Sequence, residues 1–330
     1  MSGKVVVVTG ASAGIGRAVA LEAGRRGARV ALIARSASAL EDVRSEIAAA
    51  GSRALALPLD VADAQAVAVA AERTEAELGP IDVWINNAMA TVFSPASRLR
   101  PDEIVRVTEV AYLGTVYGTL AALEAMRRRN RGVIVEVGSA LAFRGIPLQA
   151  AYCGAKHAIR GFTSSLRAEL IHEKSKIRIS EVHLPAVNTP QFDWARARIP
   201  CRPRPVGEIH APDVAADAIL TAALRPRREY WLGASTAQTV LGQAALPDLM
   251  DRLMARMAWE GQYDAAPHDP DAPNNLLEPV PGLHRTAGRF VAEAKDAAPL
   301  LDGSAMRVAV ILAGALAFFV AGTAFGASRR

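Results

Sequence analysis

Short runs of almost unbroken apolar, largely β-branched residues recur along the first 184 positions. They read VVVVT at 5–9, RVALIA at 29–34, ALALPL at 54–59, IDVWIN at 81–86, GVIVEV at 132–137 and IRISEVHL at 177–184. Strands apolar on both faces suit a parallel sheet that is covered on both sides. Between these runs the apolar spacing becomes helical, over about 14–26, 37–50, 63–78, 101–129 and 150–174. Strand–helix alternation of this kind predicts the α/β class, with a doubly wound parallel sheet.

Composition agrees with a large buried core. Of 330 residues, 51% are hydrophobic and 22% charged, which excludes a disordered or collagen-like chain. Two cysteines, Cys153 and Cys201, are too few for a disulfide-built scaffold and favour a reducing compartment. The net charge of +5 is too small to argue for nucleic acid, and no nucleic-acid partner is expected. The arginines at 127, 128, 129 and 131 close a predicted helix, where cations complement the dipole. The six histidines show no metal-ligand spacing, so no metal is expected.

The two ends of the sequence read differently. MSGKVVVVTG starts as a buried strand and lacks the pattern of a signal peptide. Val308 to Ala327 is uncharged over twenty residues, with Arg307 before it and Arg329 and Arg330 after. At 1.5 Å per residue that length matches a hydrocarbon core of about 30 Å, so a single membrane-spanning helix is predicted. Flanking charge places the large domain on the cytoplasmic side. After Leu184, residues 188–212 read as a Pro- and Arg-rich loop, 212–224 as a helix and 229–232 as a last strand. The organisation expected is a cofactor-binding catalytic domain over 1–235, surface helices over 236–260, a Pro-rich linker over 261–305 and a transmembrane helix over 306–328.

The first strand runs into TGASAGIGRA, whose Thr9, Gly10, Ser12, Gly14, Ile15 and Gly16 form a glycine turn that opens a helix. Such a turn lets backbone approach a pyrophosphate, whose charge is met by the helix N-terminus. At the end of the second strand, Arg35 and Ser36 stand where an acidic residue would hold a ribose 2′-hydroxyl, and an arginine there accepts a 2′-phosphate. NADP is therefore expected in preference to NAD. Asp60 and Val61 follow the third strand and face the adenine side; Asn86, Asn87 and Ala88 follow the fourth and brace the cofactor.

Tyr152 and Lys156 are four apart on a predicted helix and share a face, and Ser139 ends the fifth strand nearby. A phenol near pKa 10 is a poor acid or base at neutral pH, and an adjacent ammonium favours its anion. Ser139 is placed to hydrogen-bond a substrate oxygen, and Lys156 to hold the nicotinamide ribose.

Taken together, TGASAGIG, Asp60, the NNA at 86–88, Ser139 and Tyr152-x-x-x-Lys156 resemble the short-chain dehydrogenase/reductase family, in its ordinary TGxxxGxG branch. The likeness covers residues 4 to about 232. It implies a Rossmann-type sheet, a nicotinamide cofactor and alcohol/carbonyl redox chemistry. It implies Tyr152 as acid/base, Ser139 as partner of the carbonyl oxygen and Lys156 as ribose anchor. Pro185 and Thr189 match the family's loop after the sixth strand, with Thr189 on the carboxamide. A homo-oligomer is compatible with the resemblance, though no residue specifies one. The chain departs from the pattern at three places. Ala111 stands where the family has a catalytic Asn that holds a relay water, Met89 replaces Gly after NNA, and Ala186 replaces Gly after Pro185. A backbone carbonyl, Thr108, Thr115 or water is left to substitute for the Asn.

Met89, Val92, Phe93, Leu141, Phe143, Ile146, Leu148, Phe192 and Trp194 supply apolar walls, which suit a hydrophobic alcohol, ketone or aldehyde. Arg196, Arg198, Arg202 and Arg204 crowd one loop, to face anionic lipid or to form a solvated lid. The function expected is a membrane-anchored, NADP-dependent oxidoreductase. The alternative, motivated by Ala111, is an NADP(H)-binding scaffold or sensor with little turnover.

Overall fold

The structure, a computed structural model, describes residues 1–313. The first half of the chain runs β1 (Val5–Thr9), α1 (Gly14–Arg25), β2 (Arg29–Ala34), α2 (Ala37–Ala49), β3 (Ala54–Pro58), α3 (Ala64–Leu78), β4 (Ile81–Asn86) and the short β5 (Val92–Phe93). It continues through α4 (Pro101–Thr108), a π-helical turn (Glu109–Leu113), α5 (Gly114–Arg127), β6 (Val133–Ser139), α6 (Ala150–His172) and β7 (Arg178–Leu184). Then follow β8 (Ala186–Val187), α7 (Gln191–Trp194), β9 (Arg196–Ala197), β10 (Cys201–Pro203), β11 (Ile209–His210), α8 (Pro212–Leu224) and β12 (Glu229–Leu232). The last elements named are α9 (Ala234–Ala245), α10 (Pro247–Met257), β13 (Tyr263–Pro267) and β14 (Leu300–Asp302).

The main sheet has the order β14-β12-β7-β6-β4-β1-β2-β3. Every pair is parallel except β12 with β14, where Trp231 faces Leu301. Val6 and Val8 point into a layer closed by α1, α2 and α8, while Val5 and Val7 point into a layer closed by α3, α5 and α6. That two-sided burial explains why the strand runs carry no alternation. Ser36 and Asp63 cap α2 and α3 by accepting the backbone N–H groups of Ala39 and Ala66. The order reverses between β1 and β4, which opens a crevice at their carboxyl ends.

One expectation is corrected. Among the described residues no helix is long and apolar enough to cross a membrane. A helix starts at 303 and is described to 313, about 16 Å at 1.5 Å per residue, roughly half a hydrocarbon core. Its start is tied to the sheet: Asp302 accepts the Ser304 N–H at 2.9 Å, and Arg307 pairs with Glu229 and stacks over Trp231. The remainder of the span expected over 306–328, from 314 onward, lies outside the described residues. The single apolar helix in the fold class, the membrane as a partner and the membrane-anchored localisation are withdrawn with it.

The segment read as a linker folds back over the domain. β13 pairs antiparallel with β10, Lys295 exchanges backbone hydrogen bonds with Ile209 and Ala211, and β14 completes the sheet edge. The loop arginines are also paired within the chain. Arg196 and Arg198 reach Glu103, Arg202 reaches Asp193, and Arg204 reaches Glu293 at 2.7 Å. Burial alone would push Glu103 up, but Arg198, the Arg100 backbone and Arg196 outweigh it and hold the carboxyl at about 2.

Candidate active site

Everything at the crevice starts from the turn after β1. Gly10 and Gly14 adopt φ +69° and +56°, which side chains rarely tolerate. Thr9 is buried and does not face the crevice. Its hydroxyl accepts the backbone N–H groups of Asn87 (2.9 Å) and Ala88 (3.0 Å), and its carbonyl accepts the Asn87 side-chain amide at 2.9 Å. Gly16 lies behind the turn, where a Cβ would stand 2.2 Å from the Gly10 carbonyl oxygen. These two residues shape the turn from behind. Asn86 also points inward, bonded to Trp84, Thr119 and Glu136.

One cavity of about 480 Å³ runs along the crevice. Gly10, Ser12, Gly14, Ile15, Arg35, Ser36, Asp60, Val61, Asn87 and Ala88 line one end. Ser139, Tyr152, Lys156, Pro185 and Thr189 line the other, so residues far apart in sequence share one wall system. Asp60 is engaged by Arg106 and by the Ala62 N–H, which occupies the carboxylate expected on the adenine side.

The Ser139 hydroxyl accepts the Leu141 N–H at 3.1 Å and stands beside the Tyr152 phenol. Burial pushes that phenol above its ordinary pKa, and the Ser139 hydrogen bond only partly offsets this. Tyr152 is therefore a protonated donor at neutral pH. Lys156 is buried, and its Nζ donates to the Val137 carbonyl at 2.7 Å while lying 5.6 Å from the centre of the Tyr152 ring. Desolvation brings Lys156 down to about 8, against the pull of Glu136. The ammonium is present below that pH and lost above it. If Lys156 governs turnover, kcat/KM for carbonyl reduction falls as pH rises through about 8, and Lys156→Arg moves that limb upward; a pH–rate profile reads both.

Glu136 is the neighbouring buried acid. Desolvation raises it to about 7, although Thr119 (2.8 Å) and Asn86 (3.3 Å) donate to its Oε1. A carboxyl raised in the fold contributes its stability below the unfolded pKa and loses it as pH rises through about 7. Glu136→Gln should remove that loss, and the variant should be more stable than the parent at pH 8 by about 1–3 kcal/mol. Urea denaturation at pH 5 and pH 8 measures it.

Ala111 sits in the π-helical turn and is fully buried, and its carbonyl accepts the Thr115 hydroxyl at 3.0 Å. Thr108 bonds instead to Ile104 on the outside. The substrate end of the cavity is apolar, with Met89, Phe93, Leu141, Ile146 and Phe192 on its walls, while Trp194 lines the cavity against His284. Val92 and Leu148 are core residues, and Phe143 packs on His183 and Trp231. Sequence reasoning missed Met250 and Met254 of α10, and Asn275, Val280 and His284, all of which line the cavity. No local pattern marks these positions; they reach the site only because the late chain folds back.

A doubly wound sheet with a glycine turn at its first β–α junction and Ser, Tyr and Lys in the same cavity defines a nucleotide-binding class of α/β protein. Comparison with known proteins identifies the branch. The short chain dehydrogenase model matches residues 4–198. The chain belongs to the short-chain dehydrogenase/reductase family. It is 32% identical over 283 residues to the uncharacterized oxidoreductase YxnA of Bacillus subtilis, covering 85% of this chain and 80% of the relative. Among solved structures, an alcohol dehydrogenase from the archaeon Thermococcus sibiricus, complexed with 5-hydroxy-NADP, matches with a TM-score of 0.60 at 29% identity, over 69% of this chain and 95% of that one. A metagenomic short-chain oxidoreductase in complex with NADP matches with a TM-score of 0.56 at 32% identity, over 68% of this chain and 91% of that one.

Proposed function

We propose that the protein is an NADP-dependent oxidoreductase that interconverts a hydrophobic alcohol and its carbonyl compound, with Tyr152 as acid/base. The observation that carries this reading is the single cavity shared by Ser139, Tyr152 and Lys156 with the glycine turn and Arg35. The NADP complexes of the two structural relatives support the same choice of cofactor.

The residues present fit the dinucleotide. Glycine at 10 and 14 lets the turn take its positive φ while packing close on Ala88 and Thr189, where a Cβ would stand 3.0 Å from Ala88 Cα or 3.2 Å from Thr189. Arg35 has five N–H donors, and two bonds leave donors for a phosphate. Arg35 and Ser36 would hold the 2′-phosphate, the turn at Ser12 and Ile15 the pyrophosphate (the Gly14 N–H is taken by the Arg285 carbonyl), and Asn87, Thr189 and Lys156 the nicotinamide half. When bound, NADPH supplies the hydride and NADP⁺ accepts it.

In the reductive direction the Ser139 hydroxyl donates to the substrate carbonyl oxygen and orients it. The Tyr152 hydroxyl gives its proton to that oxygen as the carbon is reduced, leaving a phenolate. Lys156 stabilises that phenolate until a proton returns, while the Ser139 proton stays on the substrate oxygen's side. In the oxidative direction Tyr152 removes the alcohol proton by the same path. Apolar walls exclude water and select lipophilic substrates.

Ala111 favours a second reading, a cofactor-binding scaffold with little turnover, because its methyl cannot hold a relay water. One experiment separates the two. Purified protein is given NADPH or NADH with a panel of aldehydes, ketones, sterols and retinoids. Consumption of NADPH with lipophilic carbonyls, at least about tenfold above NADH, is expected. Tight NADPH binding with no consumption across the panel selects the scaffold.

A further inference from the structure

The chain from Asn275 to Thr286 crosses the nucleotide end of the cavity and plays no part in the chemistry above. The Asn275 and Leu277 carbonyls accept from the two terminal nitrogens of Arg35, with 2.6 Å to Asn275. The Leu276 carbonyl accepts from Arg106 at 3.1 Å, and the Arg285 carbonyl accepts the Gly14 N–H at 2.9 Å. This strap is anchored where it leaves the cleft: Arg285 and Arg289 both pair with Asp193, and Phe290 N donates to the Asn188 side chain at 3.0 Å. It therefore bridges the glycine turn, the end of β2 and the loop after β7.

His284 lines the same cavity as Arg35 and Gly14, next to Arg285, whose carbonyl accepts the Gly14 N–H. Its ring packs on Trp194, with 5.4 Å between centroids. Both ring nitrogens are buried, with no hydrogen-bond partner among the described residues. Leaving buried polar atoms unmatched is costly, so the site calls for a ligand that supplies hydrogen bonds. The neighbouring charges are Arg35 and Asp42, and Asp42 is exposed at the surface of α2. A cation held in place beside two unmatched imidazole nitrogens suits a phosphate monoester, which accepts from both groups.

We propose that His284, carried over the cleft by this strap, is a second ligand of the adenosine 2′-phosphate, alongside Arg35. The proposal rests on the NADP reading and extends it. The strap positions Arg35 through two carbonyls, leaving its remaining donors and the imidazole to face one phosphate. His284 thereby discriminates NADPH from NADH.

Calorimetric titration of the full chain with NADPH, NADH and 2′,5′-ADP tests this. His284→Ala should weaken NADPH and 2′,5′-ADP about tenfold and change NADH less than about twofold, while His284→Gln, which keeps a donor, retains most of the preference. In the unmutated protein the His284 ring ¹⁵N signals should shift with 2′,5′-ADP and not with 5′-AMP, which reads the contact without a substitution. Unchanged NADPH affinity in His284→Ala overturns the proposal, and so does equal weakening of NADPH and NADH, which would place the imidazole on the shared pyrophosphate. If Arg35→Ala abolishes the preference while His284→Ala leaves it intact, the NADP reading stands and the role of His284 falls. If the unmutated protein binds NADPH no better than NADH, both fall.

Discussion

Tyr152→Phe should lower kcat/KM for carbonyl reduction by about 10²–10⁴-fold while leaving the Kd for NADPH within about twofold. The change removes one oxygen from a residue on α6 whose ring otherwise keeps its packing, so the loss isolates proton delivery. Burial already holds the phenol protonated, and the Ser139 hydrogen bond only partly opposes that shift, while the Lys156 Nζ lies 5.6 Å from the ring centre. Steady-state kinetics with a turned-over ketone, paired with a fluorescence titration of NADPH, reads both quantities. Equal rates for the variant and the parent would remove Tyr152 from the chemistry.

Gly16→Ala should be the most damaging small change in the cofactor half. The added Cβ would lie 2.2 Å from the Gly10 oxygen and 2.5 Å from the Asn87 amide nitrogen, both of them parts of the clamp between β1 and β4. The turn must move, at a cost of about 3 kcal/mol in stability, and NADPH binding should weaken by at least about a hundredfold as the turn loses its shape. Gly154→Ala is the matched control. It lies within α6 with nothing within 4 Å of the new methyl, and should stabilise the protein by about 0.5–1 kcal/mol. Urea denaturation compares the two.

The sheet and the chemical end of the site were legible in the sequence because local signals carried them. Unbroken valine and isoleucine runs mark strands covered on both faces, and the spacing of Tyr152 and Lys156 fixes a shared helix face. Ser139 was legible because it ends a strand at the crevice. Thr9 and Gly16, read as part of the same turn, support it from behind and do not line the cavity. The same kind of reasoning went too far at the apolar stretch after Arg307. Apolarity and length suggested a spanning helix, but neither reveals that β14 and the Arg307–Glu229 pair fasten the start of that stretch to the sheet. Strands of two or three residues, such as β5, β8 and β11, are too short to show a period. The strap was hidden for a different reason. Its contacts with Arg35 and Gly14 run mainly through backbone carbonyls, and a backbone carbonyl leaves no trace in residue identity.

Two buried acids show how the same environment yields different charges. Glu103 is held ionised by Arg196 and Arg198, whereas Glu136, bonded only to neutral donors, is raised to about 7. Beside Glu136, desolvation depresses Lys156 to about 8, and the carboxyl only partly opposes it.

Isotope transfer from NADPH carrying deuterium at C4 of its nicotinamide to a lipophilic ketone is the most direct measurement of the chemistry. Mass spectrometry of the alcohol should find deuterium on the carbinol carbon from one face of the ring, with transfer greatly slowed in Tyr152→Phe. Alcohol without label at that carbon, or no transfer to any ketone or aldehyde by protein saturated with NADPH, would contradict a hydride and proton exchange at Ser139, Tyr152 and Lys156.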